Sequence, residues 1–184
     1  MRYEITSEVM TDSQLQQYVD RLGYNGPLEP TLAVLQALQF AHLTHIPYEN
    51  LDSMAHKITS LNHREMFRKM ILSRRGGICF ELNGLYAWLL EKVGFTEEPQ
   101  LDMDFVMPCV FCDLHPDSPI NKYEKISVFT ADSNIRLWDG EYQIFTHGEK
   151  KARPVCGEER QEILRHEFGI LRNKQLGIRK GLSQ

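Results

Sequence analysis

Between Arg74 and Val93 the chain sets two glycines, a cysteine and an apolar run in an order that limits what this region can become. Leu82, Leu85, Tyr86, Leu89, Leu90 and Val93 recur at the i, i+3, i+4, i+7 spacing of a helix with one buried face. Cys79 falls in the first turn of that helix, where unpaired backbone N–H groups and the positive end of the helix dipole favour a thiolate. Arg74 and Arg75 add positive charge beside it. Gly76 and Gly77 are expected to adopt backbone conformations closed to other residues, turning the chain sharply and leaving the sulfur open. The combination reads as an activated nucleophile. On residue type alone, packing is the commoner role, because free cysteine is among the most buried residues.

The rest of the chain divides by pattern. Up to Phe95 the spacing predicts helices joined by short loops. Thr11 or Ser13 caps the first, which ends near Gly23; Pro30 and Thr31 open a second with Leu32, Leu35, Leu38 and Leu43 on its apolar side; a third spans 64–72; the fourth carries Cys79. After Phe95, residues 123–130, 134–138 and 141–145 are short and rich in β-branched and aromatic residues. Turn residues such as Asp139-Gly140 separate them, which predicts an antiparallel meander. Residues 158–168 then read as a helix stopped at Gly169, followed by a basic tail from Arg172 to Lys180. The expected class is α+β, with a helical domain over 1–95 and a short meander plus C-terminal helix over 96–184.

Charge and composition exclude several functions. With 21 Lys and Arg against 25 Asp and Glu the net charge is −4, which argues against nucleic acid as a main partner. No window is long and apolar enough to span a membrane. Four cysteines without a secretory pattern imply reduced thiols and a cytoplasmic location.

Other candidate groups carry weaker signals. His42 and His45 are three apart but have no local carboxylate or cysteine to complete a metal set, so hydrogen-bonded or solvated histidines are expected. Glu49 follows Pro47 on a loop and is assigned a supporting role, pairing an arginine such as Arg75. Cys109-x-x-Cys112 has the spacing of a redox dithiol or half a zinc site, with His115 and Cys156 as the only further ligands in view. Pro108 before it and His115-Pro116 after it place it on a loop. No metal is expected.

Three segments resemble one family. Arg75-Gly76-Gly77-x-Cys79-Phe80-Glu81-x-Asn83 is similar to the nucleophile motif of the arylamine N-acetyltransferases. Ile46-Pro47-Tyr48-Glu49-Asn50-Leu51 is similar to that family's Ile-Pro-Phe-Glu-Asn-Leu, and Tyr18-x-x-Arg21-Leu22-Gly23-Tyr24 also resembles it. Further on, His115-Pro116-Asp117-Ser118-Pro119 and His166-Glu167-Phe168-Gly169-Ile170 resemble the family's last third. The resemblance implies a cysteine-protease-like acetyltransferase fold and acetyl-CoA as acyl donor. It also implies an aromatic amine or hydrazine as acceptor, and a Cys-His-Asp triad with Cys79 as nucleophile.

Between the cysteine helix and the second half, family members carry a strand-rich segment that this chain lacks, and the triad histidine and aspartate belong to it. Neither of their sequence patterns occurs here. His115, with Asp113 or Asp117, is the least remote surrogate; His147 and His166 read as turn and helix residues. The expectation is a family member with its nucleophile motif intact and little or no turnover. The alternatives are a ligand-binding or oligomerising remnant, self-associating through exposed sheet edges, and a small metal or redox protein built on Cys109 and Cys112.

Overall fold

The computed structural model describes residues 9–96 and 103–170; the basic tail from Arg172 lies outside them. Helix α1 (Asp12–Arg21) starts where Thr11 and Gln14 cap each other reciprocally, satisfying two N–H groups that have no partner inside the helix. Helix α2 (Leu32–His45) is capped by Thr31. Its buried side is Val34, Leu38, Ala41 and His42, whereas Leu32 and Leu43 are exposed. The leucine spacing is therefore right at Leu38, which is buried, and at Leu35, which packs against the core, and wrong at Leu32 and Leu43. Helix α4 (His63–Phe67) runs into a π-helical turn at Arg68–Leu72, and α5 (Cys79–Val93) ends at Gly94 in a left-handed conformation, φ 103°. Together these helices enclose one core around Tyr18, Leu38, Met70, Leu85, Trp88 and Leu89.

The second core lies between a five-stranded antiparallel sheet and the last helix. Strand β1 (Tyr48–Glu49) pairs with β2 (Lys125–Phe129), and β3 (Ser133–Trp138), β4 (Glu141–Thr146) and β5 (Glu149–Pro154) follow in sequence order. Two-residue turns join the last three strands. Asp139 and Gly140 (φ 47° and 85°) and His147 and Gly148 (φ 49° and 85°) are both left-handed pairs, the twist that suits a tight hairpin. Ile126, Val128, Ile135 and Leu137 point to one face and pack under Ile163, Leu164 and Phe168 of α7 (Gly157–His166) and its end, together with Leu51 of α3 (Leu51–Met54). The α+β class and the meander stand as expected. The extra strand β5 escapes the sequence pattern because Glu149-Lys-Lys-Ala-Arg-Pro154 is exposed throughout and shows no alternation. A charged edge carrying proline blunts strand addition, which counts against association through that edge.

One element departs from expectation outright. Cys109 and Cys112 lie on helix α6 (Met103–Leu114), with Pro108 inside it, rather than on a loop. Proline forfeits one intrahelical bond, but the turn after it is fixed from outside. Asp113, fully buried, accepts hydrogen bonds from Ser53 Oγ and Thr59 N, both 2.6 Å away, and Ser118 Oγ donates to the Cys112 carbonyl at 2.8 Å.

Candidate active site

Cys79 is the first residue of α5 and is exposed, while Ile78 before it is buried. Glu81, two residues on, bends back to accept the Ile78 N–H at 3.0 Å and so fixes the helix start under the thiol. Phe80 is half-buried and Asn83 is exposed.

The loop before Cys79 is held by backbone pairing with β1. Gly77 N donates to the Pro47 carbonyl at 3.3 Å and Glu49 N donates to the Gly77 carbonyl at 3.0 Å, which sets Tyr48 beside Gly77 in a parallel bridge. The two glycines are needed for this close approach and not for backbone angle. A Cβ on Gly76 would lie 2.0 Å from the Pro47 oxygen, and one on Gly77 2.8 Å from Glu81 Oε2. The left-handed residue of the turn is Arg74, φ 52°, so the expected conformational role of Gly76 and Gly77 is corrected to one of space.

Beneath the loop runs a line of alternating charges. Glu49 accepts from the Arg75 guanidinium at 2.6 and 3.0 Å, and Arg75 Nη1 reaches Asp52 at 3.0 Å. Lys69 Nζ then bridges Asp52 at 3.0 Å and Glu81 at 2.8 Å. Burial would raise the Asp52 pKa, but Lys69 and Arg75 outweigh it and hold the carboxyl down to about 2. Burial alone would lower the Lys69 ammonium, yet Glu49, Glu81 and Asp52 keep it above the usual lysine range. For Glu81 burial prevails and its carboxyl is raised, with Lys69 and the Ile78 N–H pulling the other way. An open cleft of about 240 Å³ lies over this network, lined in part by Asp52, Lys69, Arg75 and Glu81. Such a lattice is held together by mutual pairing, since removing one partner of a buried pair costs about 3–5 kcal/mol. Asp52 and Lys69 were not singled out from sequence. The available signal was a glutamate at the third position of an otherwise apolar helix, which needs a cation if it is buried.

The other candidates disperse. His115 is half-exposed, stacks on Phe111 with centroids 4.6 Å apart, and accepts from the Asp117 N–H at 3.1 Å. Asp113 is committed to Ser53 and Thr59 and does not serve His115. Among the described residues no hydrogen bond joins a histidine to Cys79. His147 lies on the β4–β5 turn and His166 in the last turn of α7. His42 is buried, its Nδ1 3.0 Å from the Tyr18 hydroxyl, and His45 Nδ1 lies 2.9 Å from the Ala41 carbonyl.

Cys109 is buried, Cys112 half-buried and Cys156 exposed. Burial, with Asp113, Cys112 and Cys79 adding to it, pushes the Cys109 thiol up to about 12, and burial followed by Cys79 and Asp113 raises Cys112. Thiols held protonated in this way make poor redox or metal ligands. Among the described residues no group of three or more His, Cys, Asp or Glu is arranged to hold a metal ion.

A profile of the N-acetyltransferase family matches residues 31–98. The arylamine N-acetyltransferase of Mycobacterium bovis is 43% identical over 82 residues, which make up 44% of this chain and 29% of that protein. The match thus spans less than a third of such a relative's length. The structure of the arylamine N-acetyltransferase from M. tuberculosis superposes with a TM-score of 0.79 at 20% identity, covering 85% of this chain and 93% of that one. The Mycobacterium marinum arylamine N-acetyltransferase in complex with CoA gives 0.77 at 18% identity, over 85% and 92%. At those identities the superpositions establish the fold, and the sequence likeness is confined to the segment around Cys79. Over residues 31–98 the chain is similar to the N-acetyltransferase family, and its fold is that of the arylamine N-acetyltransferases.

Proposed function

We propose that Cys79 accepts an acetyl group from acetyl-CoA, or from a reactive acetyl ester, and passes it slowly to an arylamine or hydrazine. The observation that carries this reading is the placement of Cys79. It is an exposed thiol on the first residue of a helix, on a loop pinned by β1 and by Arg75, Glu49, Asp52, Lys69 and Glu81. In the step, the Cys79 sulfur bonds to the acetyl carbon, the carbonyl electron pair moves to oxygen, and collapse expels the CoA thiolate. Attack of the amine on the thioester then reverses this sequence and returns the sulfur. Turnover is low because both halves need proton transfer, and no histidine among the described residues bonds the thiol; a positioned acid–base contributes about 10²–10⁴-fold.

Intact mass after incubation with acetyl-CoA or an aryl acetate tests this, beside Cys79→Ala. One acetyl adduct, absent from the variant and discharged by an arylamine, is the expected result. An unmodified mass from folded protein would end the reading.

A further inference from the structure

Two residues ahead of Cys79 the loop is bridged to a tyrosine whose hydroxyl the network beneath it does not use. The bridge joins the backbones of Tyr48 and Gly77. Side chains alternate along a strand, so Tyr48 leaves β1 on the side opposite Glu49, which turns inward to Arg75. Its ring is half-buried, and its hydroxyl has no hydrogen-bond partner among the described residues. The Cys79 and Cys112 thiols lie within electrostatic reach of the phenol. Burial, then the two thiols and Glu49, push the phenol up to about 12, so near neutral pH it is a neutral donor and cannot act as a base.

From this juxtaposition we infer that the Tyr48 hydroxyl is a catalytic hydrogen-bond donor to the acyl oxygen during transfer to Cys79. The inference rests on the proposed acyl transfer and names a group that serves it. As the sulfur–carbon bond forms, negative charge builds on the carbonyl oxygen; the phenol O–H donates to that oxygen and keeps its proton throughout. The leaving thiolate or phenolate departs with the electron pair of the bond it loses. A donor aimed at developing charge acts on the transition state more than on the bound substrate. The motif that Ile46–Leu51 resembles has phenylalanine at this place, so the hydroxyl is a feature of this chain.

Tyr48→Phe is the test, since it removes only an unbonded oxygen and leaves the fold's hydrogen bonds intact. Two rates are read on wild type and variant: acetylation of Cys79 by p-nitrophenyl acetate, and its alkylation by iodoacetamide, a displacement that forms no oxyanion. Both are followed by intact mass in a Cys109→Ser, Cys112→Ser, Cys156→Ser background. Acetylation is expected to fall about 100-fold, the size of a single oxyanion donor, with alkylation unchanged. The ratio should stay constant from about pH 6 to about pH 9, because the donor does not titrate there. Equal acetylation rates would overturn the assignment while leaving the acyl transfer standing. A parallel loss of alkylation would also overturn it, placing the effect on the thiol. Wild type that is alkylated but never acetylated would overturn both.

Discussion

His42 spends its nitrogens differently from an ordinary histidine. One meets the Tyr18 hydroxyl, while Nε2 is buried with no partner. Burial, with the positive charge of Arg21 nearby, holds its pKa down to about 4. The unfolded chain then takes up the proton first as pH falls. Stability contributed by the neutral ring is intact above about pH 6.5 and declines by about 1.4 kcal/mol per pH unit down to about pH 4. Urea unfolding at pH 7, 6 and 5 should show this slope, and His42→Gln should flatten it. At this scale the sequence is readable where a residue acts through its neighbours in the chain. Cys79 at a helix start and an arginine for Glu49 follow from motif order. Gly76 and Gly77 do not, because the oxygen and carboxylate that crowd them come from Pro47 and from the far side of the turn. Tyr48 was passed over for the same reason: what marks it is the bridge to Gly77, which no local pattern encodes.

A buried carboxylate, Asp113, ties helix α6 to the segment that carries Ser53 and Thr59. Asp113→Ala would leave the Ser53 hydroxyl and the Thr59 N–H without their acceptor, at a cost of about 2–4 kcal/mol. The loss should be local. Amide exchange over residues 109–114 should speed up and Cys109 should become open to a thiol reagent, while α5 keeps its protection. Uniform exchange across both helices would count against this docking role. Elements with a strong internal signal were legible: the start of α1 at Thr11, one of two candidate caps, the Asp139-Gly140 hairpin, and α7 with its stop near Gly169. Helix α6 and strand β5 were not. In each case pairing overrides what composition says: Asp113 binds across to the distant α3, and β5 pairs with its neighbour β4 despite its charges.

Two cores share one seam, and Asn50 is central to it. Its side chain donates to the carbonyls of Ile120 and Tyr123 and accepts the Lys125 N–H at 2.7 Å, tying the end of β1 to the start of β2. Asn50→Ala removes all three and should cost about 3 kcal/mol. It should also split one unfolding transition into two. Trp88 reports the helical core and Trp138 the sheet, so fluorescence of single-tryptophan variants separates them. Coincident transitions in Asn50→Ala would show that the halves are coupled elsewhere. The order of helices, meander and final helix could be read from the chain, but the contribution of β1 and α3 to the sheet side could not. Tyr48–Met54 sits among helices in sequence and joins the strands through the pairing of β1 with Ser127 and Ile126, the bonds of Asn50 and the packing of Leu51.

The four cysteines, all unbridged, span the range of accessibility: Cys79 and Cys156 open, Cys112 partly covered, Cys109 sealed in. One is at the nucleophile loop, one at the mouth of the last helix, and two on the helix that Asp113 anchors. The molecule therefore carries its own graded clock. Timed exposure to a mass-tagging reagent would add labels in an order that distinguishes breathing of the native state, release of α6 and full collapse of the structure, with no probe introduced from outside.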